Sequence, residues 1–296
     1  MKIRLWIAIA LLVMQGPVVL AACKPVPEAS ELWSRSSIRW VWVGETHGTA
    51  EIPATFGDLV CDALAHGRHV TVALERPNTE QAAINALVGS GDQVVAEQEL
   101  LHQPDWRESY DGRTSQAMLE LLIQLRKLKA RYPALRVVAI VDPDAFAVSP
   151  AEDDEAMGHA ALALEGKQSA DLVLVLTGNT HALKNPLLKH KTAAMFLPAE
   201  QLVSLQVTSA GGEAWTMSDK GCGASSAGVP DKDKTRLFGI YLDPGLARFG
   251  VVDGILALGK PSLASPPANT GALLTASCRK DFLSHSGKQG LQPTAP

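Results

Sequence analysis

Short apolar segments with the periodicity of strands alternate along this chain with longer segments that have the periodicity of helices. Such alternation is typical of a parallel sheet in which the crossover helices pack against the sheet faces. The strand-like segments of the earlier part of the chain are 38–43, 69–74, 135–141 and 172–177. They predict an α/β fold with a mostly parallel central sheet flanked by helices.

Amphipathic segments lie between these strands, at 52–64, 79–88, 115–132 and 151–166. The segment 115–132 is the clearest, because Met118, Leu121 and Leu125 share one face. Additional, shorter C-terminal strands are predicted at 202–207, 213–217, 239–242 and 250–258. We expect a single α/β domain over residues 23–280 and a disordered polar tail over 281–296.

The N-terminus has the pattern of a secretory signal peptide over residues 1–22. Lys2 and Arg4 precede an apolar run, and small residues follow before Cys23. Later apolar runs are interrupted well before the roughly 18 residues that a membrane-spanning helix needs. We therefore expect export to the periplasm or cell envelope, and a water-soluble mature protein apart from any anchor.

The cysteines leave two interpretations open. Leu20-Ala21-Ala22-Cys23 fits the bacterial lipobox, in which the cysteine carries a lipid, so the membrane could be a partner through an anchor at Cys23. The alternative is disulfide pairing among the four cysteines, which are Cys23, Cys61, Cys222 and Cys278. Both interpretations indicate an oxidising compartment.

Charge and motifs exclude several function classes. A formal net charge of -4 with mixed signs gives no electrostatic footprint for nucleic acid. Neither a Gly-x-Ser-x-Gly elbow nor a Gly-x-x-x-x-Gly-Lys phosphate loop occurs, which argues against a serine hydrolase of the usual α/β kind and against a nucleoside triphosphate enzyme. The expected partner is a small-molecule or peptide substrate.

Ionisable or strongly hydrogen-bonding residues follow several of the predicted strands. Because the carboxyl ends of parallel strands share one edge of a sheet, these side chains are expected to converge. The residues are Glu45 and His47 after the first strand, Glu75 and Arg76 after the second, Asp142 and Asp144 after the third, and Asn179 and His181 after the fourth. The remaining histidines, His190 among them, are predicted to be surface or packing residues.

Two chemistries fit such a set of histidines and carboxylates. One is metal-free acid–base work, in which a carboxylate orients His47 to abstract a proton from water. The other is a divalent metal held by Glu45, His47, Glu75 and His181 with a position open for water. Structural roles also fit: an acid at a helix start, a turn at His47-Gly48, or an ion pair between Glu75 and Arg76.

A further candidate precedes the strongest helix, in the segment Asp111-Gly112-Arg113-Thr114-Ser115. Thr114 or Ser115 is predicted to cap that helix. The Arg113 guanidinium could bind a substrate carboxylate or phosphate, or pair with Glu75. Arg76, Arg113 and Asn179 are therefore predicted to contact substrate.

Three of these elements resemble the superfamily of erythromycin esterases, ChaN-type haem-binding lipoproteins and the Tiki and TraB metalloproteases. They are Gly44-Glu45-Thr46-His47, the acid Glu75, and Gly178-Asn179-Thr180-His181. The resemblance implies that His47 is a general base, that Glu45 and Glu75 orient it or bind metal, and that His181 is a second acid–base group or ligand. It implies hydrolysis of an ester, amide or lactone.

The same resemblance supplies a rival function. The esterases have an arginine soon after Gly-Thr, where this chain has Ala50-Glu51, whereas the signal peptide and lipobox are more similar to the ChaN group. A non-catalytic haem-binding lipoprotein of iron uptake is therefore the alternative, although the three tyrosines and low aromatic content show no evident haem cradle. A structural envelope protein is the third possibility.

Overall fold

The computed structural model describes residues 23–269 except 109, 110, 167, 169, 187, 188, 219, 220, 227 and 249. The predicted signal peptide and C-terminal tail, and Cys278, lie outside these residues. Within the described part of the chain, no helix is both long enough and apolar enough to cross a bilayer.

A seven-stranded sheet forms the centre of the molecule, with the strand order β3-β2-β4-β1-β5-β9-β8. Its neighbouring strands pair in parallel, except that β8 runs antiparallel to β9. A separate antiparallel pair consists of β6 and β7. The strands are β1 (Trp40–Glu45), β2 (His69–Pro77), β3 (Arg136–Val141), β4 (Asp171–Gly178), β5 (Leu202–Thr208), β6 (Glu213–Ser218), β7 (Gly221–Ser226), β8 (Gly239–Tyr241) and β9 (Gly254–Ala257).

Helices cover the sheet and connect its parallel strands. They are α1 (Ala29–Ser34), α2 (Glu51–Ala65), α3 (Gln81–Val88), α4 (Gln93–Leu101), α5 (Pro104–Glu108), α6 (Gln116–Arg131), α7 (Pro143–Val148) and α8 (Pro150–Leu162). The predicted α/β fold with a mostly parallel sheet and additional C-terminal strands is confirmed. The structure adds α1, α4, α5, α7 and β7, which the sequence patterns did not predict.

Apolar side chains point alternately to the two faces of the central strands, which explains why both faces of the sheet are covered. In β1 the side chains of Trp40 and Trp42 join one apolar cluster, and those of Val41 and Val43 join another. Successive side chains of a strand point to opposite faces, so a fully apolar strand requires packing on both. The cluster containing the valines includes α2, α3 and α6, whereas α8 packs on the tryptophan side.

Short, weakly patterned helices account for most of the elements that were not predicted. Helix α7 has no buried residue, and α4 exposes Val94 and Val95 while burying Ala96 and Leu100. Side chains on these helices therefore lack the clear apolar stripe that identifies α6. Ser115 caps α6 by accepting a hydrogen bond from the backbone N–H of Met118, as expected.

A disulfide joins Cys23, ahead of α1, to Cys61 in α2. Beside it, the buried carboxylate of Asp62 accepts hydrogen bonds from the Trp33 indole and the Val26 backbone. Cys222 is likewise disulfide-bonded. Disulfides are typical of oxidising, exported environments. A lipid thioether at Cys23 would use the same sulfur atom, so the anchor and this disulfide are alternatives.

Removing the disulfide should destabilise the fold. It closes a loop with a sequence separation of 38, and cross-links of this size stabilise a protein by about 2–4 kcal/mol. The double variant Cys23→Ser/Cys61→Ser should lose a free energy of unfolding in this range, measured by urea denaturation. An unchanged urea midpoint would show that the bond contributes nothing.

Candidate active site

Strand order brings three predicted strand ends together. Strand β4 lies between β1 and β2, and it places Gly178 opposite Glu45. The backbone N–H of Asn179 also donates to the Glu45 carbonyl at 2.9 Å. The loops after β1, β2 and β4 therefore share one edge, as the strand-end rule predicts.

Glu75 is the centre of this edge. One carboxylate oxygen, Oε2, accepts the backbone N–H of Gly178 at 2.6 Å and lies 3.5 Å from His47 Nε2. The other, Oε1, lies 3.3 Å from Arg113 Nη1 and 3.9 Å from His181 Nε2. Burial alone would raise the pKa of Glu75, but the surrounding cations hold it well below its ordinary value. The buried group is thus a carboxylate anion.

His47 lies between two carboxylates. Its Nδ1 is 2.9 Å from Glu45 Oε1, and its Nε2 faces Glu75. Burial would lower the pKa of His47, but the two glutamates outweigh burial and raise it to about 10. At neutral pH the ring therefore carries both protons and cannot accept another. A ring in this state is suited to donate a proton, and the general-base role expected for His47 stays a prediction.

His181 has a different environment. Its Nδ1 is 2.7 Å from Oδ1 of the buried Asp154 on α8, whereas its Nε2 is 3.9 Å from Glu75, beyond direct hydrogen-bonding distance. Burial would lower the pKa of His181, but Asp154 and Glu75 raise it above the ordinary value. One ring nitrogen is held by a carboxylate, and the other faces the site.

Arg113 pairs with protein carboxylates. Its Nε is 2.7 Å from Asp111 Oδ2, its Nη1 contacts Glu75, and the half-exposed ring of Phe146 lies over the guanidinium. The pair holds the pKa of Asp111 below its ordinary value and raises that of Arg113. Of the two roles predicted for Arg113, the structure shows the pairing with Glu75.

Three buried oxygen atoms near the site have no hydrogen-bond partner within the described residues: Glu45 Oε2, Asn179 Oδ1 and Asp153 Oδ1, whose carboxyl interacts electrostatically with His181 and Glu75. The Asn179 amide nitrogen donates to the Thr46 hydroxyl at 3.3 Å, which fixes the orientation of the side chain. A buried acceptor without a donor costs about 1–3 kcal/mol. A ligand that donated an N–H or O–H here would recover that cost.

Arg76 points away from the other predicted site side chains, although its Nη1 donates to the backbone carbonyl of Arg113 at 3.1 Å. It is fully buried, its guanidinium pairs with Glu80 at 2.7 Å and Asp105 at 2.8 Å, and it packs on the Trp106 ring. Its predicted contact with substrate is therefore corrected to a structural role. The reason is strand pleating, because Arg76 follows Glu75 directly and so projects to the opposite face of β2.

Close backbone approaches hold the edge together. A side chain at Gly178 would place its Cβ 2.9 Å from His47 Nε2, so a larger residue would push the imidazole away from Glu75. At Gly48, φ is +75° and a Cβ would lie 2.1 Å from the Trp215 carbonyl oxygen. Glycine at these positions allows the loops to meet.

The four predicted metal ligands meet at this edge of the sheet, but they are not arranged around a common metal position. Over the ranges that the structure describes, no group of three or more His, Cys, Asp or Glu side chains is arranged to hold a metal ion. Instead, His47 is paired with Glu45 and Glu75, and His181 with Asp154. Haem fits no better, since the site side chains are charged and His47 has no nitrogen free for an axial position.

Asp154 and His190 are members of this cluster that the sequence patterns did not identify, and Asp111 was named only as part of the candidate segment before α6. Asp154 lies inside a helix rather than at a strand end. His190, predicted to be a surface or packing residue, has an acidic partner, since its Nε2 lies 2.8 Å from Oδ2 of the buried Asp154. The only sequence feature that could have pointed to Asp154 is that it is an acidic residue near the start of α8.

No family model and no curated protein matches the chain. Two solved structures have the same fold. A Bacillus cereus protein is 12% identical, with a TM-score of 0.59 over 82% of this chain and 93% of its own. A succinoglycan biosynthesis protein is 10% identical, with a TM-score of 0.59 and the same coverage, 82% and 93%. At such identities the likeness shows the fold alone.

Substituting Gly178 should separate His47 from Glu75. In Gly178→Ala, the added methyl group displaces the imidazole, so the pKa of His47 should fall below the wild-type value of about 10. An NMR titration of the ring resonances measures it. Gly91→Ala is the matched control, because its Cβ would meet no atom within 4 Å. Wild-type titration in Gly178→Ala would contradict this contact.

Proposed function

We propose that the protein is an exported hydrolase of an ester, amide or lactone that works through an acid–base pair, His181 and His47. One observation carries this proposal: two imidazoles face the same buried carboxylate, Glu75, but differ in which ring nitrogens are engaged. His47 has carboxylates at both nitrogens, whereas His181 has one at Nδ1 alone. In such an arrangement one imidazole can donate a proton to the substrate, and the other can accept a proton from water.

His181 is proposed as the general base. Asp154 accepts a hydrogen bond from Nδ1–H, which leaves the lone pair on Nε2. When Nε2 takes a proton from the attacking water, the ring becomes an imidazolium that Asp154 stabilises. An imidazole so oriented and partly exposed can reach a water molecule at the site.

His47 is proposed as the proton donor. Its Nδ1–H is held by Glu45, while the contact of Nε2 with Glu75 is 3.5 Å and hence longer than a good hydrogen bond. The Nε2–H can therefore turn to the carbonyl oxygen or the leaving group as charge develops there. This assignment exchanges the roles expected for the two histidines.

The surrounding charges favour a neutral small-molecule or peptide substrate. Arg113 is already balanced by Asp111 and Glu75, so it orients Glu75 rather than binding an anion. The unpartnered Oδ1 of Asn179 can accept a substrate N–H or O–H. Nucleic acid is not an expected partner for a chain of net charge -4.

Two rival functions have less support. Haem binding would require His181 Nε2 to serve as the axial ligand among charged neighbours. A haem titration without a Soret shift would exclude this function. A structural envelope protein would have no need of buried charges, which are expensive and cluster at functional sites. The superfamily resemblance favours the esterase-like reading, although Ala50-Glu51 stands in place of its arginine.

Export is part of the proposal. We propose that the mature protein occupies the periplasm or cell envelope, with Cys23 in the disulfide rather than carrying a lipid. Intact-mass measurement of membrane and soluble fractions tests this assignment. A lipid mass on Cys23 would contradict it.

Removal of either histidine should abolish hydrolysis. On a panel of neutral esters, lactones and peptides, we expect His181→Ala and His47→Ala to lower kcat by at least about 100-fold, the usual contribution of general acid–base catalysis. His69→Ala is the matched control, because His69 pairs with Asp171 at the opposite edge of the sheet. Hydrolysis that persists in folded His181→Ala would overturn the assignment.

The activity should depend on pH in a bell shape. The base must be neutral, and the pKa of His181 is raised, so the acid limb should lie above pH 6.5. The donor must be protonated, so activity should fall as pH rises through about 10, where His47 loses its proton. Full activity below pH 6 would show that His181 is not the base.

A further inference from the structure

Asp154 holds two histidines at once. Its Oδ1 accepts hydrogen bonds from His181 Nδ1 at 2.7 Å and from the backbone N–H of Ala193 at 2.9 Å. Its Oδ2 lies 2.8 Å from His190 Nε2. The carboxylate is 2% exposed, so these contacts replace its hydration. Three N–H donors thus fix both oxygen atoms of one buried side chain.

Such a carboxylate has little freedom. With donors on both oxygens it is held against His181, and a carboxylate oxygen accepts the hydrogen bond that the ring nitrogen donates. The shared proton therefore stays on His181 Nδ1, and the Nε2 lone pair is directed at the Glu75 side of the site. The tautomer of an imidazole is commonly set in this way by the partner of its second nitrogen.

His190 reaches the site through Asp154. It lies on the segment that runs from His181 to Ala193, so one carboxylate gathers three points of the same loop. The His190 ring is 21% exposed, whereas the carboxylate that it contacts is buried. Without His190, Oδ2 would lose its donor, and the carboxylate would be free to turn away from His181.

We propose that His190 is a positioning residue that acts through Asp154 to hold His181 in the Nδ1–H tautomer with Nε2 free. The tautomer of His181 is a property of the protein without substrate. The effect of this tautomer on hydrolysis rests on the proposed function.

Amide substitutions of His190 separate this role from packing. The amide nitrogen of His190→Gln can occupy the place of Nε2 and donate to Asp154, whereas that of His190→Asn is too short to reach. With ¹⁵N-labelled rings, at a pH above the titration of His181, wild type and His190→Gln should show a protonated Nδ1 and an unprotonated Nε2. His190→Asn should show nitrogen shifts averaged between the two tautomers.

Further variants fix the interpretation. His190→Ala should behave as His190→Asn does, and His69→Ala should leave the His181 signals unchanged. Folded His190→Asn or His190→Ala with wild-type His181 shifts would overturn the proposal, as would averaged shifts in wild type. Both variants could unfold while His190→Gln stays folded with His181 nitrogen shifts averaged between the two tautomers. In that case the hydrogen bond from residue 190 to Asp154 serves only the fold, and the proposal also fails.

Activity provides a second readout. On any ester that the wild type hydrolyses, His190→Asn should lower kcat by about tenfold with KM unchanged, and His190→Gln should restore most of it. Equal kcat in wild type and His190→Asn would contradict the catalytic consequence. The ring-nitrogen measurement needs no substrate, so an inactive wild type would defeat the proposed function while the tautomer claim is still decided.

Discussion

A single buried carboxylate organises the functional edge of this protein. Glu75 receives the backbone N–H of Gly178 from the neighbouring strand and faces His47, His181 and Arg113. Taking an ionised carboxylate out of water is costly unless charged and hydrogen-bonding partners replace the lost solvation. The end of β4 and the loops after β1 and β4, together with the turn before α6, supply those partners.

The fold brings these partners together through strand order. Because β4 inserts between β1 and β2, the ends of strands that are far apart in sequence meet within hydrogen-bonding distance. Apolar packing on both faces fixes the register of these strands, since a shift of one residue would exchange their two faces. The geometry of the site thus follows from the core.

Much of this was predictable from the sequence. Strand-like segments and the polar residues after them indicated the α/β fold and the convergence of Glu45, His47, Glu75 and His181. Protonation and partners were not predictable, because they depend on contacts across the sheet. Asp154 and His190 lie in a helix and a loop where no sequence pattern marks them. The direction in which Arg76 projects could be predicted only if the exact end of β2 were known. Helices such as α7 were not predicted because their sequences have no apolar stripe.

If Glu75 is the shared anion of the site, its charge must be visible in the titration of His47. Glu75 contributes more than Glu45 to raising the pKa of His47 to about 10. In Glu75→Gln, which keeps the shape of the side chain, we expect the His47 pKa measured by NMR to fall well below 10, and further than in Glu45→Gln. A folded Glu75→Gln variant in which His47 still titrates near 10 would show that Glu75 is not the anion on which the site depends.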